Sequence, residues 1–283
     1  MDLELIPFLT ALLGSSIASI YDLKTTEVPD EIPLTMILIA ISFYTFQTIS
    51  TQNFIFLRDS LIAGFSLLSF GTLMYFFGQW GGADALILSS IGFLLPFAPS
   101  FFKKTFLPFP LTYLINSFFV GATYMLIYAF TFSLRNKKII EKFSFQLKAS
   151  SRLIPIFAFS LFIIFLLFGL LIFQIFHLSL IFSLLTVIVT LSLYVIIKFV
   201  KCVEDFGFKK RIPISKLKEG DVLLEFKQFR GIKEEEIKQI KRSGKKYVWI
   251  KFGVPYALTF PLTLIFTLFF GDVIFLMGSL TFL

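Results

Sequence analysis

Two aspartates 62 positions apart, Asp22 and Asp84, carry the strongest chemical signal in this 283-residue chain. A hydrolase of amide bonds needs a water made nucleophilic and a proton for the departing amine. Two carboxyl groups about 3 Å apart supply both, because they share one proton. The ionised member draws a proton from water while the protonated member polarises the scissile carbonyl. The two protonation steps then belong to the pair rather than to either residue. Gly81 and Gly82 stand just before Asp84. Without side chains there, an extended substrate backbone can come close and unusual dihedrals are allowed. Each residue also has a plain structural use. Asp84, ahead of Ala85-Leu86-Ile87, holds the place of a helix-capping carboxylate. Asp22 holds that of an interfacial residue, and the glycines that of a tight turn. Where the rest of the sequence puts the two acids decides between these readings.

The chain is 57% hydrophobic, with 41 Phe, and only 16% charged. Soluble globular chains have roughly 45–50% apolar and 25% charged residues. With a mean hydropathy of +0.86, the composition excludes a water-soluble enzyme and a disordered chain. A single cysteine, Cys202, excludes a disulfide framework, a CxxC redox pair and a cysteine-rich zinc site. A single histidine, His177, leaves almost nothing for a transition-metal site. No metal and no cofactor are expected.

A helix crossing a hydrocarbon core of about 30 Å needs about 20 largely apolar residues. Spans are expected at Leu5–Tyr21, Ile32–Ile49, Ser60–Phe77 and Ala85–Phe102, the last interrupted by Pro96 and Pro99. A fifth is expected at Leu111–Leu134. Leu153–Ile197 is 45 residues without a charge apart from a protonated His177. As one helix it would run about 67 Å, twice the core thickness, so it must fold back, at Gln174–Ser179. The last span begins near Gly253. The start of the chain, with Asp2 and Glu4 and no basic flank, does not read as a cleaved signal peptide.

Eight spans put both termini on one side. One set of loops then holds 23 of the 26 basic residues: Lys24, six from Arg135 to Arg152, and sixteen from Lys198 to Lys251. Arg58, Lys103 and Lys104 face the other way. Positive loops stay in the cytoplasm, so the net charge of +8 is a topology signal and an attraction to anionic lipid. It is not a nucleic-acid footprint. The expectation is an all-α polytopic membrane protein of about eight transmembrane helices with a small cytoplasmic α+β insert. Residues 1–200 hold helices one to seven and the catalytic face, 201–251 the insert, and 252–283 the last helix. Within the insert, Ile214–Glu219 and a turn at Gly220-Asp221 lead to a strand at Val222–Leu224. An amphipathic helix over Lys233–Arg242, with Ile237 and Ile240, precedes a strand over Tyr247–Lys251.

On this topology Asp22 ends span one and Asp84 opens span four at the same cytoplasmic face. Acids bordering hydrocarbon are rare, and a functional site is their default reading. Asp272, about nineteen residues into the last span, falls near the outer face and is left out of the site.

At these residues the sequence resembles the type IV prepilin peptidases, membrane aspartyl proteases of the GxGD kind, in their archaeal preflagellin and prepilin branch. The resemblance rests on Asp22-Leu-Lys-Thr-Thr-Glu-Val-Pro-Asp30 after span one and Gly81-Gly82-Ala83-Asp84 before span four. Ile214–Asp221 and the apolar run after Val254-Pro255 echo it more weakly. It implies that Asp22 and Asp84 are the catalytic pair. It also implies that class III signal peptides of prepilins or preflagellins are cut on the cytoplasmic side of the plasma membrane, just before their hydrophobic stretch. Ala83 replaces the motif's second glycine, and eight spans exceed the six of compact archaeal members. The cysteine-bearing segment of bifunctional bacterial enzymes is absent, so peptidase activity without N-methyltransferase is expected.

Class III signals, as the resemblance implies, are short and basic before the cut. Glu27, Asp30 and Glu31 form an acidic loop beside Asp22 whose local field would attract such residues. A solvated loop with Asp30 capping span two is the plainer account. Lys24 either eases the charge at Asp22 or anchors the helix end to headgroups. A proton- or cation-coupled transporter using Asp22 and Asp84 would need acids deep in several spans. An assembly platform docking through the basic insert would survive loss of both aspartates. A presenilin-like enzyme cutting mid-membrane would need flanking motifs that are missing.

Overall fold

The computed structural model describes residues 3–218, 220, 222–224, 231–232, 234–242, 246–251 and 253–280. Asp2, Glu219, Asp221 and Lys233, named in the readings above, lie outside the described residues. The chain is an all-α polytopic membrane protein with one small sheet. Four helices open it: α1 (Leu5–Thr25), α2 (Glu31–Thr51), α3 (Ile55–Phe76) and α4 (Gly82–Leu94). Then come α5 (Phe109–Arg135), α6 (Lys137–Ser150), α7 (Leu153–Phe173) and α8 (Phe176–Val203). Among the described residues, α1, α2, α3, α5, α7 and the helical run Phe176–Phe208 are long and apolar enough to cross a bilayer.

The expected fourth and eighth spans take a different form. At 13 residues, α4 is about 20 Å long and falls short of a 30 Å core. It stops before Leu95, which is non-helical at φ −128° and ψ 66°, because a residue preceding proline avoids the helical region. Non-helical backbone at membrane depth persists where protein surrounds it, and Leu95 is buried. The last apolar stretch forms α10 (Thr259–Phe270), breaks at Gly271 (φ 68°, ψ −134°) and resumes as α11 (Val273–Leu280). That backbone region is essentially closed to residues with a Cβ.

The chain divides into two compact units, residues 1–125 with 212–283, and residues 126–211. In the first unit α4 is the hub, with ten of its thirteen residues buried against α1, α2 and α3. Small residues set these approaches. A β-carbon on Gly71 of α3 would sit 2.8 Å from Ala85 Cα, and one on Gly92 would sit 2.9 Å from the Ala63 carbonyl. Small residues at helix contacts replace the hydrophobic drive that lipid removes. The same unit holds the insert from Ile212 onward. Its strands β1 (Lys209–Pro213), β2 (Val222–Leu223) and β3 (Tyr247–Lys251) lie in the order β1-β3-β2. β2 and β3 are antiparallel, with Leu223 opposite Ile250. A short helix, α9 (Glu234–Arg242), completes a separate core of Ile214, Leu223, Ile232, Ile237 and Val248.

In the second unit, α7 and α8 fold back at Gln174 (φ 56°), inside the expected segment. The basic stretch after Arg135, read as a loop, is the helix α6. Its Ile139 is buried and Phe143 meets Phe199 of α8 edge-on at 5.3 Å. Lysines line its other faces, so charge content masked a helical period.

Candidate active site

Asp22 reaches the protein interior because of where it falls on α1. Phe8, Ala11, Ser15, Ala18, Ser19 and Asp22 recur at three- and four-residue intervals and form one buried stripe. The helix ends one turn later at Thr26, which adopts a left-handed φ of 60° and donates its N–H to the Asp22 carbonyl at 2.8 Å. A β-branched residue in that region is strained. Asp84 is the third residue of α4, and the Gly81 N–H donates to its Oδ2 at 2.9 Å. The capping use of Asp84 is therefore real. It occupies one carboxylate oxygen and leaves Oδ1 without a protein hydrogen bond among the described residues.

Both carboxylates are nearly buried, with 8% of Asp22 and 9% of Asp84 exposed. The Asp22 charge acts on Asp84. Two buried acids from helices far apart in sequence thus lie close enough to interact electrostatically. A further partner comes from the far end of the chain. The Ala257 N–H donates to Asp22 Oδ2 at 2.9 Å, and the Tyr256 amide faces the same carboxylate.

The glycines do not adopt the unusual dihedrals expected of them. Gly81 is extended (φ −74°, ψ 161°) and Gly82 begins the helix. Their contribution is space. Both are exposed, and a β-carbon on Gly82 would meet nothing nearer than Tyr75 at 3.9 Å. Lys24, Glu27, Asp30 and Glu31 are exposed along the α1–α2 connection. Asp30 is the residue before α2 but makes no side-chain capping bond. Glu27 lies against Gly220 of the insert. Among the described residues no group of three His, Cys, Asp or Glu side chains could hold a metal ion.

Residues 8–126 match the type IV leader peptidase family, and this stretch contains both aspartates. A prepilin peptidase of Methanothermobacter thermautotrophicus is 26% identical over 141 residues, 46% of this chain and 36% of the relative. A preflagellin peptidase of Methanocaldococcus jannaschii is 26% identical over 128 residues, 42% of this chain and 54% of its own length. A preflagellin peptidase of Methanococcus voltae is 35% identical over 92 residues, covering 32% and 39%. The chain thus spans about a third to a half of the curated relatives it matches.

The matched stretch, residues 8–126, does not contain all of the candidate site. Tyr256 and Ala257 lie outside it, and sequence reasoning missed them because their contribution is made through backbone amides. The one available signal was Pro255, which marks a break in an otherwise apolar stretch. Asp272 is at the other end of the bundle from Asp22 and Asp84, yet buried. It accepts hydrogen bonds from the Thr112 hydroxyl and the Phe106 amide. Asn116 next to it donates to Thr267 Oγ1 at 2.9 Å and to the Gly271 carbonyl at 2.8 Å, and accepts from Val273 N at 3.1 Å. This cluster satisfies the polar groups freed by the α10–α11 break.

Proposed function

We propose that the chain is a membrane-embedded aspartyl endopeptidase that cuts class III signal peptides of prepilins or preflagellins. In this reading the active face meets the cytoplasm at the plasma membrane, and no N-methyltransferase accompanies the cut. The observation that carries it is that Asp22 and Asp84, on helices far apart in sequence, are both buried, with the Asp22 charge acting on Asp84, inside the stretch that matches the type IV leader peptidase family.

The chemistry follows from one proton shared by two carboxyls. The ionised member takes a proton from a water held between them, and the oxygen of that water attacks the scissile carbonyl carbon. The protonated member gives its proton to the carbonyl oxygen, so the tetrahedral diol carries no net charge. Collapse of the diol breaks the C–N bond, and the proton taken from water passes to the leaving amine. The products are an acid and an amine, and the pair regains its single proton. Space before Gly81 and Gly82 admits an extended backbone, while Glu27, Asp30 and Glu31 supply a negative field for basic residues ahead of the cut. Lys24, exposed beside them, moderates that field.

The transporter reading draws less support. Among the described residues the buried acids are Asp22, Asp84 and Asp272; the first two sit at one end and the third is fully engaged at the other.

Purified protein in detergent is expected to cut a class III signal peptide once, on the N-terminal side of its hydrophobic stretch. Mass spectrometry of both fragments locates the cut, and S-adenosylmethionine adds no methyl group to the new N-terminus. A peptide left intact under all conditions contradicts the proposal.

A further inference from the structure

We propose that Tyr256 is a positioning residue that locks the Asp22 and Asp84 segments to one another; its use in peptide hydrolysis rests on the protease reading above. The two carboxylates are each held by one backbone amide at 2.9 Å: Asp22 by Ala257 and Asp84 by Gly81. The residues immediately before these donors, Tyr256 and Trp80, touch. Their ring centroids are 5.8 Å apart at an interplanar angle of 35°. One aromatic contact therefore joins the two amides that aim the acids. Aromatic pairs of this kind have a defined geometry, so a shift of one ring carries the other.

The clasp is backed by a wall. Gly121 of α5 has no side chain, and a β-carbon there would collide with the Tyr256 hydroxyl. Three residues on, the Tyr124 hydroxyl donates to the Pro255 carbonyl at 2.8 Å. The Tyr256 carbonyl accepts from the Thr259 amide at 2.9 Å and from its hydroxyl at 2.8 Å, opening α10 and fixing where the Ala257 N–H points. Trp80 is held on its other side by Phe118, stacked at 5.8 Å. Tyr256 is also a Coulombic neighbour of Asp84. A tyrosine serving only as filler would need neither the Gly121 notch nor contact with the residue before Gly81.

The test separates geometry from activity. In a Cys202→Ala background, Asp22→Cys with Asp84→Cys is cross-linked in membranes by a short bis-thiol reagent. Adding Tyr256→Ala is expected to reduce the cross-linked fraction severalfold, Gly121→Ala to reduce it in the same direction, and Tyr256→Phe to preserve most of it. With the aspartates intact, Tyr256→Ala lowers kcat by about 10- to 100-fold, the scale set by misplaced catalytic groups. KM stays nearly constant and the pH–rate profile moves, while Tyr256→Phe restores most of kcat. If Tyr256→Ala does not fold, Gly121→Ala carries both readouts. Unchanged cross-linking in folded Tyr256→Ala and Gly121→Ala overturns the proposal. Cross-linking that falls with Tyr256→Ala, while the protein with both aspartates intact cuts no signal peptide, sinks the protease reading and leaves the clasp standing.

Discussion

The four-helix core around α4 and the α7–α8 hairpin are both apolar, the hairpin much the more so, and they put that apolar surface to opposite uses. In α1, 44% of the apolar stretch is buried; in α7 and in Phe176–Phe208 the share is 6%. The hairpin is nearly continuous Leu, Ile and Phe, with Leu167, Leu171, Ile181 and Leu185 exposed. It meets its own partner helix closely at Gly169, where a β-carbon would come 3.1 Å from Ser179 Cα. The core interrupts its apolar run with Ser15, Ser19, Ser89 and Ser90, all buried, and with glycines at helix contacts. Lipid accepts bulky apolar side chains anywhere, whereas a site needs helices close together and polar groups that face one another. Small and polar residues at helical spacing, which also lower its hydropathy, mark the core off from the hairpin.

Equivalent glycine substitutions sharpen this contrast most. Gly71→Val forces α3 away from Ala85, the residue after Asp84. Overpacking of this kind costs about 1–3 kcal/mol, and displacement of the acid is expected to reduce cleavage about 100-fold. Gly169→Val introduces a comparable clash into the hairpin and should lower thermal stability while leaving kcat within about threefold, since no part of the site lies there. Equal losses of activity in the two variants would erase the distinction between the regions.

A smaller effect is expected at the far end of the core. Asp272→Asn or Thr112→Val leaves buried polar groups short of a partner at the α10–α11 break. The loss of stability should be about 1–3 kcal/mol, read as a fall in melting temperature, with cleavage reduced only slightly. A loss as large as that of Gly71→Val would mean that the break, and not the α3–α4 contact, governs the site.

The smallest effect belongs to the surface of the second unit. The hydrogen bond that Lys209 Nζ donates to Asp205 Oδ1 at 2.6 Å raises the lysine above its ordinary value of 10.5. A raised folded-state value means that the pair's contribution is complete below pH 10.5 and fades as pH rises through the higher folded value. Asp205→Asn should therefore cost under about 1 kcal/mol at neutral pH, with the difference vanishing only in strongly alkaline solution. A stability difference confined to acidic pH would show that another group is responsible.

Much of this organisation is legible in the amino-acid sequence. The unbroken apolar stretch around Gln174 is too long for one crossing, and the reversal there follows from length alone. Asp22 continues the three- and four-residue spacing of Ala11, Ser15 and Ala18, so its inward direction can be read from periodicity. β3 follows from alternation at Tyr247–Lys251. Other features depend on contacts between distant residues. Ala257 aims Asp22 with a backbone amide, which any residue but proline carries, so residue type holds no trace of the role. The burial of Asp272 depends on Asn116 and Thr112 arriving from α5. α6 was hidden by its lysines, although Ile139, Phe143 and Gln146 keep a helical interval. The dihedral role expected of Gly81 and Gly82 gives way to a simpler one, space in front of a carboxylate.

The central claim is that both acids are needed together, and the most direct measurement is single-turnover cleavage of a class III signal peptide by Asp22→Asn and by Asp84→Asn. Each folded variant should lose cleavage to background, and the double variant should lose no more than either alone, as expected of groups acting as a unit. Cleavage at the wild-type rate by either single variant would contradict the account.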